Sequence, residues 1–196
     1  MTKERKRAMS TEKMVISALM TALVVVFQLL ATYTAFFGPF STAMALIPIA
    51  IGAILCGPVI GAWLGFVFAV VVMVSGGANL FFAFDICGTI VTVLSKGVLC
   101  GFVAGLVYKC LKNWNVNIAT VISALVCPVI NTGVFMLGCF IFFMDDAVEI
   151  AKQIGSAETG AALFIALALG NFIFELGTNI ILSPVIVRLI NIVKKK

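Results

Sequence analysis

Glu175 is a carboxylate inside an apolar run, Ala161 to Ile192, that is long enough to cross a bilayer. A carboxylate in hydrocarbon is costly unless it faces protein, water or a ligand, so its default reading is a functional group. Asn171, Glu175 and Asn179 recur every four residues, a spacing that stacks them on one face of a helix. Such a column offers hydrogen-bond donors and acceptors either to a ligand or to neighbouring helices. If the chain enters from outside at Ala161, Asn171 comes first, Glu175 lies near mid-depth and Asn179 in the inner half. That order makes Asn171 and Glu175 the candidate ligand contacts and Asn179 a packing residue.

The other distinctive polar groups also lie toward outer ends of apolar runs. They are Asn79, Asp85 and Lys96, with Asn131 and Thr132 in a later run. Lys96 has two readings: it extends to the headgroups, or it turns inward to meet a ligand carboxylate or Glu175. Polar groups gathered at one end describe a pocket open to the outside. A pore would show polar stripes along whole helices or rings of charge. Phe36, Phe37, Phe40, Phe81, Phe82 and Phe84 could wall such a pocket, since small-molecule sites are mostly apolar with few polar anchors.

Several chemistries are excluded. The chain has no histidine, which removes Ser-His hydrolysis and HExxH metalloproteolysis. Its six cysteines are scattered without a CxxC pair, so neither a metal nor a redox centre is indicated, and no cofactor is called for. Asp85 or Glu175 acting as acid or base in a membrane enzyme is a competing reading, but no second carboxylate in a recognisable motif accompanies either. No GxxxxGK[ST] loop is present, so the chain does not hydrolyse ATP itself.

The elements that must position these residues are membrane spans. Hydrophobic residues make up 63% of the 196, charged residues 11%, and mean hydropathy is +1.23, which is the composition of an integral membrane protein. The first apolar run starts at Met14 and lacks a small-residue cleavage site, so it is expected to remain as a helix. Spans are predicted at Met14 to Thr32, Ala43 to Leu55, Val59 to Val74, Val93 to Tyr108, Ile118 to Phe143 and Ala161 to Ile192. Thr34 to Thr42 reads as an outer loop, and Ser75 to Leu94 as a re-entrant or interfacial loop leading into the fourth span. Asp145, Asp146, Glu149 and Glu158 form an acidic outer segment.

Lys3, Arg5, Lys6, Arg7 and Lys13 precede the first span, Lys109 and Lys112 lie between the fourth and fifth, and Arg188 with Lys194 to Lys196 closes the chain. Putting all of these in the cytoplasm satisfies the positive-inside rule. The expected fold is therefore all-α: one membrane domain over residues 1–196, six transmembrane helices, both termini cytoplasmic, and apolar outer loops partly folded into the bundle. The basic tails, 1–13 and 193–196, are accounted for by topology, with no need of a nucleic-acid partner.

Two stretches carry small residues at helix-packing spacing. Ser17-Ala18-Leu19-Met20-Thr21-Ala22 places Ala18 and Ala22 on one face, and Ile51-Gly52-Ala53-Ile54-Leu55-Cys56-Gly57-Pro58-Val59-Ile60-Gly61-Ala62 forms a glycine-rich helical hairpin. Together with Ser95-Lys96-Gly97, the following Gly101-Phe102-Val103-Ala104-Gly105 and Val129-Ile130-Asn131-Thr132-Gly133-Val134-Phe135, in this order along the whole chain, they resemble the substrate-binding S component of energy-coupling factor (ECF) vitamin transporters. The resemblance implies a bacterial-type plasma-membrane protein that binds one water-soluble vitamin or related micronutrient near its outer face. It implies docking through Ala18 and Ala22 on a transmembrane coupling subunit driven by two cytoplasmic ATPases. Lys96 stands where many members carry arginine, so a bidentate fork onto a carboxylate is replaced by a point charge. A pantothenate-like carboxylate fits Lys96, and Glu175 suits a ligand rich in donors. An autonomous carrier working without ATPases is the alternative.

Overall fold

Hydrocarbon offers no water to backbone N–H and C=O groups, so an apolar chain must satisfy them internally. Among the described residues this chain does so with helices and turns alone. The structure is a computed structural model and describes residues 11–34, 43–156, 158 and 160–194. In chain order the helices are α1 (Thr11–Thr34), α2 (Ala43–Cys56), α3 (Pro58–Val74), α4 (Asn79–Phe82), α5 (Ile86–Leu111), α6 (Val116–Phe142), α7 (Ala147–Ile154) and α8 (Gly160–Lys194).

Four of them, α1, α5, α6 and α8, are long and apolar enough to cross a membrane. Helices α2 and α3 have 14 and 17 residues. At 1.5 Å per residue they reach only ~21 and ~26 Å, less than a hydrocarbon core of ~30 Å.

Cross-contacts fix the direction of each helix. The Cys56 thiol at the end of α2 lies 3.7 Å from the Lys13 carbonyl at the start of α1, so these two helices run oppositely. Thr32 near the end of α1 shares a 2.9 Å hydrogen bond with Ser75 just after α3, so α1 and α3 run together. The α2–α3 reversal turns on Gly57, whose φ of +102° suits glycine, followed by Pro58 in the first turn of α3, where a missing N–H costs nothing.

Helix α5 descends antiparallel along α3, with Gly97 facing Gly65, Gly101 facing Gly61 and Gly105 facing Pro58. Here backbone packs on backbone, the closest approach two helices can make. Asn115 caps α6 by accepting from the Asn117 and Ile118 N–H groups at 2.9 and 3.3 Å. Ser123 then pins α6 to α5 by donating to the Ala104 carbonyl at 2.5 Å. Asn191 on α8 donates to Asn117 at 3.0 Å, so α8 runs back along α6. As a result Lys13, Lys109, Lys112 and Asn191 all lie toward one end of the bundle.

The core has two parts. The larger is centred on α2, α3 and α5, with Leu46, Ile49, Leu64 and Phe68 fully buried. The smaller joins Cys139, Phe143, Ile150, Leu163 and Phe164 at the opposite end from the basic residues, with Phe81, Phe84 and Phe135 packed against it.

The loop expected over Ser75 to Leu94 is much shorter than predicted. Residues 79–82 form α4, and α5 begins at Ile86 rather than at Val93. Asp85 among Phe81, Phe82 and Phe84 makes this stretch unlike a clean span, yet Asp85 stands just ahead of α5, and Thr89 and Thr92 beyond it are buried, Thr89 with its hydroxyl on the Asp85 carbonyl at 2.5 Å. The acidic segment also contains a helix that was not expected, α7, with Ala147, Ile150 and Ala151 buried and Gly155 closing it at φ +67°. The loop expected at Thr34 to Thr42, with Phe36, Phe37 and Phe40, lies almost entirely outside the described residues.

Candidate functional site

At the end of the bundle away from the basic residues, the helices enclose a cavity of about 460 Å³. That is within the range of small-molecule sites. Its polar lining comes from four helices: Gln28 and Thr32 on α1, Lys96 on α5, Asn131 and Thr132 on α6, and Glu175 on α8. The turn after α3 adds Gly76, Gly77 and Ala78, and the apolar wall includes Phe68, Val72, Phe81, Val93, Phe135 and Leu167.

Lys96 is placed by the residue that follows it. Gly97 sits in the α3–α5 seam, which holds this part of α5 against α3 and sends Lys96 into the cavity wall. Its ammonium lies 4.9 Å from the centroid of the Phe135 ring, within cation–π range. The Glu175 carboxylate is within electrostatic reach of it. Of the two readings of Lys96, the structure therefore has the inward one.

Glu175 is fully buried and is tied in from two sides. Asn131 Nδ2 on α6 donates to its Oε2 at 3.5 Å, a long bond, and Asn179 Nδ2 donates to its backbone carbonyl at 2.9 Å. Ser183 continues the chain by donating to the Asn179 carbonyl at 2.7 Å. Asn179 is buried but does not line the cavity. Its amide bonds along its own helix, so it acts as internal scaffolding of α8.

The ring of Phe81 on α4 meets Phe135 edge-on at 5.5 Å and Phe143 at 5.0 Å between centroids. This aromatic cluster joins the smaller core to the cavity wall. Of the phenylalanines singled out from sequence, Phe81 lines the cavity, Phe82 and Phe84 pack in the two core clusters, and Phe68 and Phe135 line it without having been singled out.

The structure brings Lys96, Asn131, Thr132 and Glu175 together, as their shared position near one end suggested. Asn79 and Asp85 do not line the cavity. Asn79 is exposed at the start of α4, with its amide beside Gly76, and Asp85 stands ahead of α5, where its carbonyl accepts from Thr89. The side chain of Asn171 lies outside the described residues.

Gln28 and Thr32 were not anticipated from sequence. A single amide in an otherwise apolar first span was the signal available, because a buried amide in hydrocarbon needs a partner. On the same helix Ala18 and Ala22 point away from the bundle and are exposed, beside Val15, Leu19 and Val26.

One ammonium, one carboxylate, two amides and two hydroxyls around an apolar chamber make a recognition site. Among the described residues no three His, Cys, Asp or Glu side chains cluster in a way that could hold a metal ion.

The sequence model of a family described as "ECF transporter, substrate-specific component" matches residues 12–190, most of the chain. Comparison with curated proteins and with solved structures returns no match.

Proposed function

The chain belongs to the family of ECF transporter substrate-specific components, and from that premise we propose that it captures a water-soluble vitamin or related micronutrient in the cavity between α1, α5, α6 and α8. Membership makes it a substrate-binding subunit of a membrane transporter. The finer reading is that it delivers its ligand to a transmembrane coupling subunit powered by two cytoplasmic ATPases. The observation that carries the binding site is the cavity itself, with Lys96 of α5 and Glu175 of α8 in its lining.

In this reading Lys96 contacts a ligand carboxylate, as a pantothenate-like molecule would supply, while Glu175, Asn131 and Thr132 contact its uncharged part. Asn79 beside Gly76, Asp85 ahead of α5, and Asn171, one turn from Glu175 on α8, are further candidate contacts. Ala18 and Ala22, exposed on the outward face of α1, form the docking surface for the coupling subunit. Six membrane segments, with α2 and α3 as a short hairpin among four full-length spans and both termini cytoplasmic, are supported by the alternating helix directions, and in that topology the cavity opens toward the outside. A bacterial-type plasma membrane is the expected location.

The test is co-purification. Detergent-solubilised protein, expressed with the other subunits of an ECF transporter, should isolate as a complex with a coupling subunit and two ATPases, and mass spectrometry of its extract should find one small polar metabolite. Isolation of the chain alone, with transport by the reconstituted chain in the absence of ATP, would favour an autonomous carrier and reject the proposal.

A further inference from the structure

At the basic end of the bundle, the junction between α5 and α6 forms a second concavity, a groove of about 410 Å³ lined by Leu111, Trp114, Asn115, Ile118 and Ile122. The turn gives it its shape. The Trp114 N–H closes on the Leu111 carbonyl at 3.0 Å, and Asn115 spends its side-chain oxygen on capping α6, so one helix stops and the next starts within a few residues. Ile118 and Ile122 stand one turn apart, and the apolar floor runs about 10 Å along α6 from Asn115. Trp114 is 93% exposed and Ile118 57%, so both face the surroundings of the bundle. The spans of α5 and α6 end at Leu111 and begin at Val116, which sets Trp114 between them at the level where headgroups meet acyl chains. Tryptophan favours that level because its ring is apolar and its N–H is not.

The charge on this junction is of one sign. Lys109 in the last turn of α5 and Lys112 at its C-cap are both exposed, three residues apart on one side of the helix end, and residues 109–117 contain no Asp or Glu. Lys112 stands in the chain between the groove residues Leu111 and Trp114. A lysine stem lies along apolar surface while its ammonium stays among polar groups. Topology alone asks for lysines at this end; it does not ask for an apolar groove and an exposed indole beside them. We infer that the α5–α6 junction is a binding site for an anionic phospholipid. One acyl chain lies in the groove over Leu111, Ile118 and Ile122, Trp114 stands beside the glycerol backbone, and Lys109 and Lys112 hold the negatively charged headgroup. A single molecule that the bilayer already supplies thus covers the apolar groove and answers both cations. The site is separate from the ligand cavity, which lies at the opposite end of the bundle.

Fluorescence of the full chain tests this directly, because Trp63 and Trp114 are its two tryptophans. Trp63→Phe leaves Trp114 as the reporter. Trp114→Phe leaves Trp63, an exposed residue of α3 that stacks on Phe66 outside the groove, as the control. Each variant is reconstituted in phosphatidylcholine vesicles containing a minor fraction of brominated phosphatidylglycerol or of brominated phosphatidylcholine. At Trp114 the anionic quencher should act with an apparent affinity about fivefold or more above the zwitterionic one, and at Trp63 the two should be nearly equal. Adding Lys109→Gln and Lys112→Gln should bring the ratio at Trp114 close to one and leave the thermal midpoint unchanged, since both side chains are exposed. High salt should shrink the preference in the same direction. Equal quenching of Trp114 by the two lipids, or the same anionic preference at Trp63, means unselective lipid contact and overturns the inference. So does a preference that survives loss of both lysines. A Trp114 quenched by neither lipid overturns it in favour of a protein occupant of the groove.

Discussion

Replacing Gly65 by alanine should damage this protein far more than a single methyl group would suggest. A Cβ at position 65 would overlap the Gly97 carbonyl, standing 2.6 Å from its carbon and closer still to its oxygen. Ordinary carbon–carbon contact begins near ~3.5 Å, so α3 and α5 would have to part by about 1 Å. The obstacle is backbone, which has no rotamer to move aside. Opening the seam at Gly65 also loosens the Gly61–Gly101 contact one turn away. Overpacking of this kind costs about 1–3 kcal/mol, and backbone-on-backbone contact puts Gly65→Ala at the upper end. The control is Gly133→Ala. Gly133 lies inside α6, is exposed and has nothing within 4 Å of an added Cβ among the described residues. There the same change should be neutral, or stabilising by up to ~1 kcal/mol through helix propensity. Reversible unfolding in mixed micelles with rising SDS, followed by circular dichroism, compares the two directly. Ligand affinity should fall only in Gly65→Ala, because Lys96 adjoins the displaced Gly97. Equal midpoints for the two variants would falsify the close-packed seam and with it the account of how Lys96 is aimed.

Other predictions concern the cavity and the outward face of α1. Lys96→Ala should weaken binding of a carboxylate ligand by about 10–100-fold, the range for a lost hydrogen bond to a charged group, with expression and membrane insertion near normal; an unchanged affinity would remove Lys96 from the site. Glu175→Gln should lower ligand affinity while the fold holds. Asn179→Leu should do the reverse, costing about 1 kcal/mol of stability through the lost bond to the Glu175 carbonyl and leaving affinity alone. If Asn179→Leu abolishes binding without destabilising, the division between cavity and scaffold along α8 is wrong. Ala18→Phe with Ala22→Phe should abolish transport and complex formation while ligand binding by the isolated chain persists, and wild-type transport would sink the docking role.

How much of this was legible in the sequence varies along the chain. Apolar run lengths and the placement of basic residues give the helices and a common end for Lys13, Lys109 and Lys112, because bilayer thickness and backbone hydrogen bonding leave little alternative. Glu175 stood out for the same reason: a charge in an apolar run is expensive. The α5 start was missed because Asp85 among three phenylalanines does not read as part of a clean span, whereas in the structure that carboxylate stands just ahead of the helix and α5 starts at the next residue. Gln28 was missed because a single amide carries no formal charge, and only the structure shows that it is buried with its nitrogen on the Thr32 hydroxyl. The glycines of α3 and α5 were visible as small residues. Which of them face each other depends on the relative rotation of two helices, and no local pattern encodes that.

The α3–α5 seam also bears on how such a protein can change its cargo over generations. Positions where one backbone lies on another accept almost no substitution, so Gly61, Gly65, Gly97 and Gly101 act as a fixed chassis. Apart from Lys96, the polar lining of the cavity belongs to α1, α6 and α8, where residues such as Gln28, Asn131, Thr132 and Glu175 can be exchanged without parting that seam. Divergence of specificity should therefore be written on the side chains that line the cavity and silent at the glycines of the seam.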